Sequence, residues 1–448
     1  MANTYVERQM SGNTASTKMT FSVWLKVSNP TTNGRVFGAQ ANACHTYFGG
    51  NGKLNVDFSA KDSGSVSAKL ETNKLFKDTN AWYHIVFTLD TTLGTADDRI
   101  KLYVNGTQET SFNSRTNPGQ NDTYAYGQSG YYNVGARSGN TGSAGHYFEG
   151  LMTHAHYCDG YAYAASAFGS TDATTGEWQI NTAPSVTYGT NGFFILKDGN
   201  SVTDQSGNSN NFTASGTLTK AEDNPSNVFA CLNQNKNNGS MGTFTHGSNT
   251  YAQGNANWRT ALSTLGITSG KFYYEMKWVS GNHVKVGFAL DYAHQTDHLA
   301  NANFAGGYAW YQNSHGELRT DDGVINGWAG SDITNITNIA TGDIMKVAID
   351  MDNKFAYFGV NAVWAKNADP TSGSTGTGGF SIASEYPAGT TLMPGLSVYN
   401  ATASINFGNG YFGTTAVSSA GTNASGFGIF EYDVPAGYTA LCTKGLNL

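Results

Sequence analysis

Of 448 residues only 13% are charged, where ~25% is ordinary, and the formal net charge is −7. No run of Lys or Arg is present to neutralise a line of phosphates, which excludes a nucleic-acid partner. No stretch approaches the ~20 apolar residues that cross a bilayer, and residues 1–10 lack the apolar centre of a secretory signal, so neither membrane insertion nor export is expected.

The chain is rich in residues that build and turn sheets: 55 glycines, 13% aromatics and only 8 prolines. Phe21-Ser-Val-Trp-Leu-Lys-Val27 alternates, with Phe21, Val23, Leu25 and Val27 on one face, and predicts a strand. Short strands follow at 35–38, 47–48 and 54–58, cut by Asn-Gly and Gly-Gly turns. Residues 82–106 predict a hairpin. Trp-Tyr-His-Ile-Val-Phe-Thr-Leu-Asp runs outward, a polar insert turns, and Arg-Ile-Lys-Leu-Tyr-Val-Asn-Gly returns. A loop rich in Gly, Asn and Tyr spans 113–131, a strand covers 147–156, and 185–211 reads as a strand and a polar turn. Residues 217–243 carry the loop chemistry expected of a connector, so domains are placed at 1–216 and 244–448.

The second half reads as strands at 270–279, 285–291, 308–311 and 392–407, with a turn-rich tract at 371–379. Residues 342–361 repeat the hairpin phrase of the first half: an alternating strand ends on Asp, turns, and returns to close on Val-Asn. One helical turn near 261–265 is the single exception to an all-β reading of two antiparallel, jelly-roll-like sandwiches in tandem. Cys44, Cys158, Cys231 and Cys442 are far apart and form no Cys-x-x-Cys pair. They are expected to be buried thiols, a Cys44–Cys158 or Cys231–Cys442 bridge being the alternative.

Two resemblances follow from these phrases. Phe-Ser-Val-Trp-Leu-Lys, Ala81-Trp-Tyr-His-Ile-Val-Phe, Arg-Ile-Lys-Leu-Tyr-Val-Asn-Gly106, Tyr147-Phe-Glu-Gly150 and Thr175-Gly-Glu-Trp178 resemble a laminin-G-like, concanavalin-type domain of tailed-phage virion proteins, marine ones especially. Ser269-Gly-Lys-Phe-Tyr-Tyr-Glu275, Val286-Gly-Phe-Ala289, Gly342-Asp-Ile-Met-Lys-Val-Ala-Ile-Asp350, Pro394-Gly-Leu-Ser-Val-Tyr399 and Asn406-Phe-Gly408 resemble a SPRY domain. The resemblance implies a virion-surface protein, made in the host cytoplasm, whose partners are other capsid or tail proteins and a host-surface glycan. Tail-fibre or receptor-binding adhesion is the first expectation and capsid decoration the alternative. A homo-oligomer, as a trimer, is expected in either role. A carbohydrate-active enzyme is the least favoured reading.

Concanavalin-type folds include glycosidases, which need two carboxylates ~5–9.5 Å apart. Glu431-Tyr-Asp433 is the one Glu/Asp pair at this spacing in an aromatic setting; Asp350 and Asp352 sit at a hairpin turn. Neither supports catalysis, and no Gly-x-Ser-x-Gly elbow is present. No catalytic residue, metal ligand or cofactor is assigned. Two groups could hold a metal: the alternating His154, His156 and Cys158, and Asp291, His294, Asp297 and His298. Both read more simply as packing or loop residues. The laminin-G likeness leaves calcium open without assigned ligands; Asp97, Asp98 or Asp122 could supply oxygens. The SPRY likeness places recognition in loops at one sandwich edge, which selects Tyr308, Trp310, Tyr311, Asp321, Asp322 and Trp328 as the candidate ligand site, with Asn326 nearby. Trp310 or Trp328 is expected among the exposed rings, although alternation sends some of these rings into the core.

Overall fold

The computed structural model describes residues 4–14, 17–39, 44–59, 66–137, 145–199, 201–234, 242–290, 299, 307–312, 316–320, 323–336 and 339–447. The chain divides into two compact units, Met1–Lys220 and Ala221–Leu448. Residues 217–243 are not all connector. Phe229, Ala230, Cys231 and Leu232 are buried in the second unit, where their apolar side chains outweigh the turn-forming residues around them.

The first unit contains β1 (Tyr5–Met10), β2 (Lys18–Val27), β3 (Gly34–Ala39), β4 (Cys44–Phe48), β5 (Lys53–Ser59), β6 (Val66–Leu75), β7 (Trp82–Asp90) and β8 (Ile100–Val104). It continues with β9 (Thr107–Gln108), β10 (Phe112–Thr116), β11 (Gly130–Val134), β12 (Gly150–Asp159), β13 (Gly169–Thr171), β14 (Trp178–Ile180), β15 (Phe193–Ile195) and β16 (Thr213–Ser215). One antiparallel sheet runs β10-β6-β5-β4-β3-β11-β1-β16, the other β15-β12-β2-β7-β8-β9. Their facing sides bury Phe21, Val23, Leu25 and Val27 against Phe37, Phe58 and Tyr126, as the alternation of β2 requires. The other face of β2 is buried too. Residues near 165–194, including Phe168, Tyr188 and Phe194, pack over the outer side of this sheet, so Ser22, Trp24 and Lys26 do not reach solvent.

The second unit is also antiparallel apart from the short parallel pairing of Phe272 and Tyr273 with Thr439 and Ala440 and a parallel bridge between Asn409 and Ile429. Its strands are β17 (Thr243–Thr245), β18 (Thr250–Leu262), β19 (Lys271–Leu290), β20 (Tyr308–Tyr311), β21 (Glu317–Thr320), β22 (Gly323–Val324), β23 (Ile344–Asp350), β24 (Phe355–Val360), β25 (Val363–Trp364), β26 (Phe380–Ser381) and β27 (Leu392–Asn406). The expected helical turn near 261–265 is absent, because Ala261 and Leu262 complete the cross-strand ladder of β18 with Leu396 and Gly395. The long strand β19 breaks register between Trp278 and Ser280, and Gly281 takes a φ of 91° there. Its first half then pairs with β23 and its second half with β20. A bulge is the usual device by which one strand serves two layers.

Both repeated hairpins form, β7 with β8 and β23 with β24. Each is closed the same way. Asn105 and Asn361 have φ of 47° and 52°, a left-handed conformation that Asn tolerates better than most side chains. Each donates its N–H to a strand carbonyl, His84 O at 2.9 Å and Ile344 O at 2.7 Å. Each side-chain oxygen then accepts the N–H of that same residue, at 2.7 and 3.0 Å.

Candidate functional site

β20 decides the fate of the expected aromatic site. Tyr308 is 6% exposed, Trp310 0% and Trp328 5%, and all three belong to the core of the second unit. Trp310 stacks on Phe358 at 5.7 Å and meets Trp328 edge-on at 6.2 Å. The expectation that Trp310 or Trp328 forms an exposed contact ring is therefore overturned. Asp321 and Asp322 lie outside the described residues.

Tyr311, one residue on, faces the opposite side and is half-buried. Cross-strand register assembles a different group of rings beside it. Trp258 on β18 pairs with Tyr399 on β27, and Tyr399 with His283 on β19. In the adjacent row Thr260, Ser397, Lys285, Tyr311 and Glu317 follow one another across five strands. Trp258 lies 5.6 Å from Tyr399, 6.2 Å from His283 and 6.0 Å from Tyr311, all four rings being half-buried.

The polar groups among these rings are held firmly. Gln312 Nε2 donates to His283 Nδ1 at 2.7 Å, so that nitrogen is the acceptor, and Tyr311 OH shares it at 3.1 Å. The ring proton then sits on Nε2, and burial together with Lys285 lowers the pKa of the imidazole. The buried Lys285 ammonium lies 4.6 Å from the Trp258 ring and donates to Leu299 O at 3.2 Å. Arg319 covers Tyr311 at 4.7 Å and pairs with Glu317. The result is a ring-tiled sheet face with polar groups between the rings, suited to a ligand with apolar C–H faces and hydroxyl edges. Sequence reading reached Tyr311 and missed Trp258, His283 and Tyr399. Alternation at 258/260 and 397/399 was the available signal.

The candidates for chemistry are placed in structural roles. Glu431 accepts the backbone N–H of Ser418 at 2.8 Å and also its hydroxyl, while Asp433 accepts Thr422 N–H at 2.6 Å. The backbone N–H groups of Glu431 and Tyr432 in turn bind the buried Glu275 carboxylate at 2.9 and 2.8 Å. Ser22 and His84 approach at 2.8 Å, but Trp178 Nε1 donates to His84 Nδ1, also at 2.8 Å. His84 therefore holds its proton on Nε2 and donates to Ser22, the reverse of the polarity a nucleophile needs.

His156 and Cys158 pack on the same side of β12 among Phe168, Tyr188 and Phe194, and His154, at a φ of 51° beside the register break, has its ring 6.3 Å from that of His156, but the three are not grouped to hold a metal. His156 instead stacks on Phe194 at 3.9 Å. Asp97 and Asp98 engage Arg115 and Lys101, and Asp122 accepts Gly119 N–H. Among the described residues no three His, Cys, Asp or Glu side chains are grouped to hold a metal, and Asp291, His294, Asp297 and His298 lie outside them. All four cysteines are buried free thiols.

Residues 1–160 match the Laminin_G_3 family, described as the concanavalin A-like lectin/glucanases superfamily. No curated protein matches the chain. Solved structures similar to it include the SPRY domain of human HERC1, at 19% identity over 35% of this chain and 87% of that one, with a TM-score of 0.26. The TRIM65 PSpry domain covers 40% of this chain and 91% of that one, at 8% identity and a TM-score of 0.27. A protein of Bacteroides ovatus described as carbohydrate-binding shares 17% identity over 48% of this chain and 56% of its own, with a TM-score of 0.34. The chain thus spans little more than half of that bacterial protein. Its first 160 residues are similar to laminin-G/concanavalin-like domains, and SPRY domains are among its structural neighbours.

Proposed function

We propose that this chain is a non-enzymatic, glycan-binding protein of a tailed-phage virion surface, acting in host attachment as a receptor-binding or tail-fibre knob. The observation that carries the glycan reading is the half-buried ring cluster of Trp258, His283, Tyr311 and Tyr399. Pyranose rings offer apolar C–H faces that stack on such side chains, and His283 Nε2, Tyr311 OH and the Arg319–Glu317 pair lie where hydroxyls would fall. The virion assignment rests on the ordered laminin-G-like and SPRY-like phrases. The absence of catalysis is supported by the capping roles of Glu431 and Asp433 and by the reversed polarity at Ser22 and His84.

A shallow face of this kind binds sugars weakly, and several copies raise avidity by ~10²–10⁴, which favours a homo-oligomer such as a trimer. The test is adsorption of particles, or of purified protein, to host cells. Trp258→Ala with Tyr399→Ala should weaken attachment at least tenfold while the protein stays folded. Undiminished attachment rejects the ring site, and particles that adsorb normally but lose shell stability without this protein would assign it to capsid decoration. New reducing ends on incubation with host polysaccharide would reject the non-enzymatic reading.

A further inference from the structure

Gln312 follows the last residue of β20 and is 7% exposed. Its backbone and its side chain both hold Val284 on β19. The backbone N–H donates to Val284 O at 3.3 Å, and Oε1 accepts the Val284 N–H at 2.8 Å. Nε2 donates to Asn282 O at 3.1 Å and to His283 Nδ1 at 2.7 Å. Both ends of the amide are thereby identified, since a backbone N–H meets the oxygen and a backbone carbonyl meets the nitrogen. Turning the amide over would break both bonds and set like against like, so its orientation is fixed.

A fixed amide fixes the imidazole. Nδ1 faces an N–H and has to keep its lone pair, which leaves the proton on Nε2. The Tyr311 hydroxyl, 3.1 Å from the same Nδ1, can rotate to donate or to accept. Gln312 cannot. A proton on Nδ1 would set two N–H groups face to face across the 2.7 Å that one hydrogen bond now spans. The ring would then have to leave its place beside Trp258, Tyr311 and Tyr399.

We infer that Gln312 is the positioning residue of the ring site: it holds His283 as a neutral Nε2–H donor, so that the ligand must offer an acceptor there and attachment is switched off when acid protonates the ring. The switch rests on the attachment role proposed above for the ring cluster and adds its regulation. The charged and titratable groups around the imidazole are Lys285 on its own strand, Tyr311 on β20, the Arg319–Glu317 pair on β21 and Tyr399 on β27. On β18, Arg259 donates to Trp258 O at 2.8 Å. Burial and then the Lys285 ammonium hold the His283 pKa below its ordinary 6.5. Attachment is therefore complete at neutral pH and falls as pH drops below that ordinary value.

The experiment measures attachment of the purified full chain to host cells at about pH 7.5 and about pH 5, with nitrogen-15 NMR of histidine-labelled protein reading the tautomer. The His283 signal is identified by its loss in His283→Asn, and in the neutral protein it should show Nε2–H with Nδ1 bare. Attachment should fall about tenfold or more at the lower pH and return on neutralisation, with circular dichroism showing the chain folded throughout. Gln312→Glu keeps an oxygen on the Val284 N–H and puts a carboxylate beside Nδ1. It should raise the His283 pKa by about one unit or more and move the loss of attachment upward in pH with it. A Gln312→Glu chain whose Tm falls while that midpoint stays in place overturns the positioning role. So does an Nδ1–H tautomer in the neutral protein, whatever attachment does. Equal attachment at both pH values, in a chain that Trp258→Ala with Tyr399→Ala disables, overturns the switch alone. Normal attachment by that double variant overturns the ring site and the switch together.

Discussion

Trp178 donates its indole N–H to Nδ1 of His84 at 2.8 Å, and that bond determines what the histidine can do. The tautomer it selects turns Nε2–H toward Ser22, and Trp24 stacks on the other side of the ring at 4.8 Å. Space for Trp178 comes from Gly106, where a Cβ would lie 2.3 Å from the indole at a φ of 77°. His84 is thus built as a neutral, enclosed ring.

The first prediction follows from that enclosure. Burial lowers the pKa of His84 to about 3 and of His154 to about 4, against an unfolded value near 6.5. Between those limits the unfolded chain binds more protons, so the first unit is most stable above pH 6.5 and loses stability as pH falls toward 4. The loss should reach about 2 kcal/mol or more. Calorimetry across pH 7 to 4 reads it directly, and a flat profile for this unit would contradict the buried neutral rings.

The second unit should slope the other way near neutrality. Burial raises the pKa of Glu275 to about 7, above an unfolded value near 4.5. The folded state then binds the extra proton, and stability declines as pH rises from about 4.5 through 7. Lys346, lowered to about 8 mainly by burial, contributes only above that range. Two calorimetric transitions with opposite pH slopes are expected; one cooperative transition with a single slope would sink this prediction.

Aromatic substitutions separate core from surface. Trp310→Ala should destabilise the second unit by about 3–5 kcal/mol, the usual cost of emptying a tryptophan-sized space. Trp258→Ala should cost about 1 kcal/mol or less and act on attachment instead. Denaturant midpoints for the two variants check this. Equal destabilisation would mean that the ring-tiled face is packing surface.

The twin hairpin closures make a further pair. Asn361→Ala removes the side-chain acceptor for Ile344 N–H and leaves a Cβ residue at positive φ, at a cost of about 1–2 kcal/mol. Asn361→Gly should recover part of that, because glycine relieves the backbone but not the hydrogen bond. The same order should hold at Asn105. Alanine and glycine variants of equal stability would show that the left-handed turn contributes nothing.

What the sequence determined by itself was local. Val-Asn after an alternating strand marked both hairpins, and the Asn side chain closes the open end of each by accepting the N–H of a residue near the start of the partner strand, His84 or Ile344. Alternation alone placed Phe21, Val23, Leu25 and Val27 inward. It could not show that Trp24 and Ser22 would be covered as well, because that depends on residues near 165–194 folding over the sheet. The choice between Trp310 and Tyr311 as the outward ring was likewise left open by the pattern, for both neighbours are large and aromatic. Packing against Phe358 decided it. Trp258, His283 and Tyr399 come from three strands distant in sequence, and their meeting depends on the register shifts at Gln253/Trp258 and Trp278/Ser280. A one-residue slip would turn each of these rings to the opposite face, so only the tertiary pairing could place them side by side.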